Sequence, residues 1–169
     1  KGKLMSQLGV NLETASELLA SYNERVPFVK QLMNDTMNKA GKKGYLSTLE
    51  GRRCRFDQWE PTNEWGQKSL PLAEAQQQYG EHMIKRAWTY KALNRLIQGS
   101  AADQTKKAMV DLYEQDGIIP HIQVHDELNI SVKNKSEALS IKKKMEDCVE
   151  LNVPSVVDYA LAKNWGEAK

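Results

Sequence analysis

The stretch from Ile118 to Val132 most constrains what this chain can fold into. Apolar residues, many of them β-branched, alternate with polar ones on both sides of a short polar segment, His125-Asp126-Glu127. Alternation with a period of two is typical of strands, and a short polar interruption is typical of a tight turn. We therefore predict a β-hairpin with His125, Asp126 and Glu127 at its tip.

The adjacent carboxylates at this tip have two interpretations. Aspartate is common in turns because its side chain accepts hydrogen bonds from nearby backbone amides, so a solvated turn explains the pattern. Alternatively, a rigid hairpin holds Asp126 out of water to bind a divalent cation such as Mg²⁺, which prefers carboxylate oxygens and shares them with phosphates. The pattern alone leaves both interpretations open.

Composition excludes several classes of protein. The chain has 169 residues, 40% hydrophobic and 27% charged, which suits a globular domain or two small lobes. No apolar run approaches the roughly 20 residues that span a bilayer and no signal peptide is recognisable, so we expect no membrane partner. Two distant cysteines indicate no disulfide framework and favour a cytoplasmic setting. The net charge of +2 gives no global argument for nucleic acid.

The N-terminal part predicts helices and a basic hairpin. Asn11 caps a helix over about 12–24, and a second helix begins at Pro27 and stops at Gly41. A hairpin over 44–56 follows. Basic side chains cluster around it, namely Lys39, Lys42, Lys43, Arg52, Arg53 and Arg55. Such a cluster fits a phosphate-binding surface, and it also fits an ordinary solvated face.

Residues 57–80 are polar and predicted to be irregular, whereas about 74–115 are predicted to be mostly helical. Four polar residues in the second segment recur at steps of four, namely Arg86, Tyr90, Asn94 and Gln98. Such neighbours share a helix face. Carboxamides both donate and accept, which suits the acceptors of the DNA minor groove, although an ordinary polar face is the alternative. Gly99 in mid-helix costs about 1 kcal/mol, so we expect another element to approach closely there.

The C-terminal part predicts one helix and one strand after the central hairpin. Asn134 or Ser136 caps a helix over about 136–150, with apolar residues at helical spacing. Residues 156–161 are rich in apolar and β-branched side chains and predict a final strand.

These motifs, in this order, resemble the C-terminal part of family A DNA polymerases, the polymerase I type, in a phage-like variant. The resemblance covers essentially the whole chain and is weakest over residues 57–85. It rests on Asn94 with Gln98-Gly99-Ser100-Ala101-Ala102-Asp103, on Gln123-Val124-His125-Asp126-Glu127-Leu128, on Thr48-Leu49-Glu50-Gly51-Arg52-Arg53, and on Asn164-Trp165.

The resemblance implies an α+β fold and a polymerase activity. Residues 1–75 would form the distal fingers portion with the basic hairpin, and residues 76–169 the palm, an antiparallel sheet packed on helices. The implied reaction is template-directed transfer of a nucleotide from dNTP to a primer 3′-hydroxyl by two Mg²⁺ ions. Primer-template DNA and dNTP are the implied partners.

The resemblance also implies roles for individual residues. Asp126 would be the catalytic metal-binding aspartate, Glu127 a weaker or indirect metal ligand, and His125 a neighbour of the primer terminus. Asn94 and Gln98 would contact the minor groove of the primer-template.

Three arginines complete the implied DNA-binding set. Arg52 and Arg53 would contact the template backbone. Where the family often has arginine this sequence has Tyr90, and Arg86, one turn earlier, would substitute for it.

Two parts of the family pattern have no match. The family has a further metal-binding aspartate on an earlier palm strand, and a fingers helix whose lysine, arginine and tyrosine hold the triphosphate. The chain begins Lys1-Gly2-Lys3-Leu4, without an initiator methionine. We therefore expect a fragment, or one half of a split enzyme, that is active only with an N-terminal polymerase part from the same precursor or a separate chain.

Two other functions remain to be weighed. A non-catalytic module that binds duplex nucleic acid would keep the carboxamide helix alone. A zinc site would use His121, His125 and a cysteine, but no CxxC or HxxxC-type clustering supports it.

Overall fold

The computed structural model describes residues 1–63 and 66–168. It has an α+β fold of helices and short antiparallel strands, as predicted. The helices are α1 (Gly2–Leu8), α2 (Leu12–Arg25), α3 (Pro27–Lys43), α4 (Leu72–Tyr79), α5 (Ala92–Asp116) and α6 (Lys135–Asp147). The strands are β1 (Tyr45–Ser47), β2 (Arg53–Arg55), β3 (Trp59–Pro61), β4 (Ile84–Arg86), β5 (Ile122–Val124) and β6 (Glu127–Asn129). Short 3₁₀ turns occupy Thr89–Lys91 and Trp165–Glu167.

The chain divides into two compact units. Unit 1 comprises the described residues of Lys1–Ser47 and Arg53–Leu96, and unit 2 comprises Thr48–Arg52 with the described residues from Ile97 onward. The division at residue 75 into fingers and palm portions stays a prediction. None of the helices in the described ranges is long and apolar enough to cross a membrane.

Local signals set the helix boundaries in unit 1. The Asn11 side chain accepts a hydrogen bond from the Thr14 amide at 2.9 Å, which caps α2 as predicted. Pro27 opens α3, because its missing amide proton has no helical partner to lose. The helix ends at Gly44 rather than Gly41, and Gly44 adopts φ 77° to close it.

The core of unit 1 joins α3, the first hairpin and the start of α5. It contains the buried residues Ala40, Leu46, Phe56 and Ala92, with Met37, Cys54 and Leu96 against them. β1 pairs with β2 in the antiparallel register that places Leu46 opposite Cys54. The hairpin predicted over 44–56 is therefore present and anchored on α3.

The region from 57 to 116 differs from the sequence prediction. Residues 57–80, predicted to be irregular, contain β3 and α4, and the segment predicted to be mostly helical over about 74–115 consists of the end of α4 and most of α5, with β4 between them. Gly80 ends α4. Beyond it β4 pairs with β3, so that Ile84 lies opposite Pro61 and Arg86 opposite Trp59. Pairing with a distant strand overrides local helix preference here.

Unit 2 contains most of α5, the β5–β6 hairpin and α6. Asn134 caps α6 by accepting a hydrogen bond from the Glu137 amide at 3.0 Å. The strand predicted over 156–161 is wrong, because this segment is irregular. Its backbone bonds to side chains of α6 instead of a strand: the Val157 amide donates to Glu146 at 2.9 Å, and its carbonyl accepts from Lys142.

Candidate functional site

The central hairpin forms where the sequence predicts it, with shorter strands. β5 and β6 are antiparallel, and the register that pairs Val124 with Glu127 leaves His125 and Asp126 as a two-residue turn. His125 adopts φ 55°, in the left-handed region that tight hairpin turns use. The Gln123 side chain donates to the His125 carbonyl at 2.9 Å and braces the turn.

The tip of this hairpin is open to solvent. His125, Asp126 and Glu127 are all exposed, so the interpretation in which the fold of this chain holds Asp126 out of water is wrong. The strand residues Ile122 and Val124 are also exposed, at 42% and 39%, rather than buried by alternation. A two-stranded sheet has no second layer to bury them.

The two carboxylates at the tip differ in their surroundings. Oε1 of Glu127 accepts hydrogen bonds from the Asn129 amide group at 2.8 Å and from the Trp165 indole N–H at 3.3 Å. Asp126 makes no hydrogen bond or ion pair with any described residue. The structure thus orients Glu127 and leaves the Asp126 carboxylate available to a ligand.

The tip supplies hard oxygen donors from two adjacent carboxylates. Asp126 and Glu127 carry the carboxylate oxygens that Mg²⁺ prefers. No group of three or more His, Cys, Asp or Glu side chains in the described residues could hold a metal ion. A zinc cluster of His121, His125 and a cysteine is thus not assembled in that part of the chain, and His121 instead contacts the Ser131 hydroxyl at 3.0 Å.

The carboxamides of α5 present free hydrogen-bonding groups. Asn94 and Gln98 lie on this one helix and are exposed. Neither makes a side-chain hydrogen bond to another described residue. Four residues of helix separate them by about 6 Å along the axis. The helix therefore carries two free donor–acceptor groups one turn apart.

Arg86 is not on this helix, contrary to the predicted series of four. It lies in β4, and its guanidinium donates to the Phe56 carbonyl at 2.7 Å. The same group stacks over the Trp59 ring at 4.6 Å. A side chain added at Gly44 would clash with it at 2.7 Å, which shows how closely the backbone approaches. Tyr90 lies in the 3₁₀ turn before α5.

The two arginines of the first hairpin have different surroundings. Arg52 forms an ion pair with Asp103 of α5, with its Nε 2.7 Å from Oδ1. Arg53 is exposed and its guanidinium lies over the Tyr45 ring at 4.8 Å. No described residue forms an ion pair or hydrogen bond with the Arg53 side chain.

Burial and two donors act in opposite directions on Asp103. Burial raises the pKa of its carboxyl, but the nearby Thr48 hydroxyl, the hydrogen bond from Arg52 and the charges of Arg52 and Lys106 outweigh burial. The pKa is therefore lowered below its ordinary value, so Asp103 is ionised at neutral pH.

Sequence analysis missed two supporting residues. Asp103 belongs to the motif that carries the family resemblance, yet its partner Arg52 is 51 positions away. Trp165 belongs to the closing motif, and its partner Glu127 is 38 positions away. The motifs contain both residues, but no local spacing signals either pairing.

Comparison with known proteins identifies the family. The sequence model of DNA polymerase family A matches residues 1–167. The chain belongs to DNA polymerase family A. The family A match spans both units, and it contains the exposed carboxamides of α5 and the Asp126 hairpin in one alignment.

Family A relatives with assigned functions are similar along most of this chain. A DNA-directed DNA polymerase of Pseudomonas phage M6 is 40% identical over 151 residues, which cover 89% of this chain and 19% of that protein. DNA polymerase I of Bacillus caldotenax is 33% identical over 174 residues, covering 98% of this chain and 18% of that protein. This family A chain thus spans about a fifth of the length of these relatives.

A solved structure of the family has the same fold. The POL domain of Pol1 from M. smegmatis, in complex with DNA primer-template and dNTP, superposes with a TM-score of 0.65 and 30% identity. The match covers 89% of this chain and 25% of that chain.

Proposed function

We propose that this family A chain supplies the DNA-contacting helix and one metal-binding hairpin of a DNA polymerase. The reaction is template-directed transfer of a nucleotide from dNTP to a primer 3′-hydroxyl. In this proposal residues 1–75 belong to the fingers portion and residues 76–169 to the palm. The bacterial and phage relatives favour the cytoplasm of a bacterial or phage-infected cell as its setting.

The observation that carries the proposal is the unpaired Asp126 carboxylate at the tip of a tight turn. A carboxylate that no neighbouring side chain neutralises can bind a hard cation without first breaking an ion pair. Glu127, held by Asn129 and Trp165 through Oε1, keeps Oε2 for a second or indirect contact. His125 in the same turn lies next to this cation site and would face the primer terminus.

The carboxylate oxygens of Asp126 and Glu127 are the type of ligand that Mg²⁺ prefers. When bound, it would lower the pKa of the primer hydroxyl and offset the charge that develops on the phosphates. Asp126 would hold it and Glu127 would support it. Waters and substrate phosphates would fill part of the Mg²⁺ shell, and we propose that a further carboxylate comes from another part of the polymerase, because the described residues place no third His, Cys, Asp or Glu with Asp126 and Glu127. Polymerisation in this proposal therefore requires a further part of the polymerase.

Asn94 and Gln98 would contact the duplex near the growing end. Their carboxamides are exposed and unpaired, so each can donate to the purine N3 and pyrimidine O2 acceptors of the minor groove. Those acceptors lie at similar positions in all base pairs. Such contacts would recognise the shape of the primer-template duplex and would not depend on its base sequence.

A chimera tests the catalytic proposal directly. In it, this chain replaces the matching segment of the phage M6 polymerase, which supplies the rest of the enzyme. We expect primer extension by the chimera, and a loss of more than about 100-fold in Asp126→Ala, since even outer-shell partners of metal ligands cost 10–100-fold. Binding of primer-template by Asp126→Ala should change by less than about twofold, because the tip contributes no positive charge.

Asp158→Ala is the matched control, because Asp158 is an exposed aspartate outside the hairpin. It should extend primers at the rate of the unmodified chimera. Full extension by Asp126→Ala would contradict the metal-binding role. An inactive unmodified chimera, together with duplex binding by this chain alone, would instead favour the non-catalytic nucleic-acid module.

A further inference from the structure

We propose that Asp103 is a positioning residue for DNA binding. It holds the Arg52 guanidinium on α5, so that Arg52 fixes the 48–52 turn and Arg53 is the arginine of the pair that contacts phosphate. This inference rests on the proposed function, because it assigns Arg52 and Arg53 different roles in the proposed binding of DNA.

The Arg52 guanidinium is held from two directions within unit 2. Its Nε donates to Asp103 Oδ1 at 2.7 Å, and its Nη2 donates to the Gly99 carbonyl at 3.0 Å. A guanidinium is a rigid planar fork, so two bonds to one helix fix its orientation. The direction of this side chain is therefore set by α5 before any ligand arrives.

The charge of Arg52 neutralises the buried carboxylate of Asp103. The Asp103 side chain is only 8% exposed, and its Oδ2 is buried without a donor among the described residues. A buried carboxylate depends on its counter-ion, because desolvation penalises any uncompensated charge. Arg52 is the one cation within ion-pair distance of Asp103 in the described part of the chain. Moving Arg52 onto a phosphate would leave Asp103 buried and unpaired.

The same contacts dock the turn onto the helix. The Thr48 hydroxyl accepts the Arg52 amide at 3.0 Å, and the Leu49 amide donates to the Ser100 hydroxyl at 3.2 Å. At Gly99 the approach is so close that an added Cβ would lie 2.9 Å from the Thr48 methyl group. We call the bonds from Arg52 to Asp103 and Gly99 the Arg52–Asp103 clamp. Gln98 precedes Gly99 directly, so this clamp braces the helix backbone that carries a proposed minor-groove contact.

Arg53 is the arginine of the pair whose charge remains available to a phosphate. Its guanidinium stacks on Tyr45 at 4.8 Å, which orients it without neutralising it. Phosphate contacts release counterions, and each one steepens the dependence of log Kd on log salt by about 0.9. A guanidinium already paired with a carboxylate contributes little to that release.

The experiment titrates the full chain with a fluorescently labelled primer-template duplex over a range of KCl concentrations. The variants are Arg52→Ala, Arg53→Ala, Asp103→Asn and the double variant Arg52→Ala with Asp103→Asn. Urea unfolding of the unmodified chain, Arg52→Ala, Asp103→Asn and the double variant forms a double-mutant cycle for Arg52 and Asp103 that needs no DNA.

We expect Arg53→Ala to lower the salt slope by about 0.9. Arg52→Ala and Asp103→Asn should each weaken binding by about two- to tenfold with an unchanged slope, and the double variant should bind no worse than the weaker single variant. The urea midpoint of the double variant should fall by less than the sum of the falls in the two single variants.

Opposite results overturn the inference. A slope lowered by about 0.9 in Arg52→Ala, with Asp103→Asn binding like the unmodified chain, would make Arg52 the phosphate contact. Additive losses in the urea midpoint would show that Arg52 and Asp103 do not stabilise the protein as a pair. An unmodified chain that binds no duplex would overturn both the proposed function and the role of Asp103 in DNA binding. The urea cycle would still show whether Arg52 and Asp103 stabilise the protein as a pair.

Discussion

Gly99 determines how closely the 48–52 turn approaches α5 within unit 2. Glycine in a helix interior is unfavourable by about 1 kcal/mol relative to alanine. Here the missing Cβ leaves room for the Thr48 methyl group, 2.9 Å from where a Cβ would lie. The Thr48 hydroxyl accepts the Arg52 amide, so this side chain cannot rotate its methyl away without losing a bond.

Gly99→Ala should therefore destabilise the protein. Overpacking costs about 1–3 kcal/mol, and the gain in helix propensity returns about 1 kcal/mol. We expect the free energy of unfolding in urea to fall by about 1 kcal/mol. Gly41→Ala on α3 is the control, because an added Cβ there meets nothing within 4 Å, and it should gain about 0.5 kcal/mol. A gain in both variants would contradict the close approach.

Asp103 should make stability depend on pH in the acid range. Its pKa in the folded protein lies below the ordinary value of 3.8, since the raising effect of burial is outweighed by the nearby Thr48 hydroxyl and by the hydrogen bond and charge of Arg52. A depressed pKa stabilises the folded state fully above 3.8, and that stabilisation is lost as pH falls through the folded pKa.

Urea unfolding of Asp103→Asn and the unmodified protein checks this dependence. At pH 7 the variant should be less stable, because it lacks the charged partner of Arg52. The difference should narrow as pH falls below 3.8, where the unmodified carboxylate becomes protonated. A difference that stays constant from pH 7 to pH 2.5 would show that ionisation of Asp103 contributes nothing.

At the scale of elements, α6 holds the segment that follows it. Lys142 and Glu146 lie one turn apart, form an ion pair at 3.1 Å, and bond to the carbonyl and the amide of Val157. The hydrogen bond from the Val157 amide, followed by that from Lys142, lowers the pKa of Glu146. A further contact joins Gln104 of α5 to Ser155 at 2.8 Å. Side chains thus replace the strand pairing predicted for this segment.

Glu146→Ala should release this segment. Hydrogen exchange of the Val157 amide should accelerate by about tenfold or more, since a lost hydrogen bond to a charged group corresponds to about 1.5–3 kcal/mol. Lys143→Ala is the control: its pair with Asp147 lies on the same helix and is exposed, at 70% and 59%, and neither side chain hydrogen-bonds to Val157. Equal exchange rates in the two variants would mean that Glu146 does not hold the segment.

At the scale of the whole molecule, two units carry separate parts of the proposed activity. Unit 2 contains the Asp126 hairpin, Gln98 and the Arg52–Asp103 clamp, whereas unit 1 contains Asn94 and Arg53. The chain spans 19% and 18% of the two polymerase relatives, and its carboxylates make no complete metal-binding group among the described residues. We therefore propose polymerisation only for an assembly that adds the missing ligands.

The sequence by itself determined the features that depend on near neighbours. Asn11 and Asn134 cap helices because a side-chain oxygen reaches an amide three residues on. Pro27 opens a helix for an equally local reason. The His125-Asp126 turn followed from alternation on both sides of it, and the order of motifs was sufficient to indicate the family, which the family model confirmed.

Only the tertiary structure decided features that join distant residues. Arg86 lies in a strand because it pairs with β3, which lies 25 positions or more away in the sequence. Helical spacing around Arg86 gives no information about that partner. Arg52 and Asp103 are 51 positions apart, so neither residue's neighbourhood reveals that one neutralises the other. Exposure of Asp126 likewise depends on what packs against the hairpin. Local periodicity reports which face a residue occupies, whereas long-range contacts decide what that face meets.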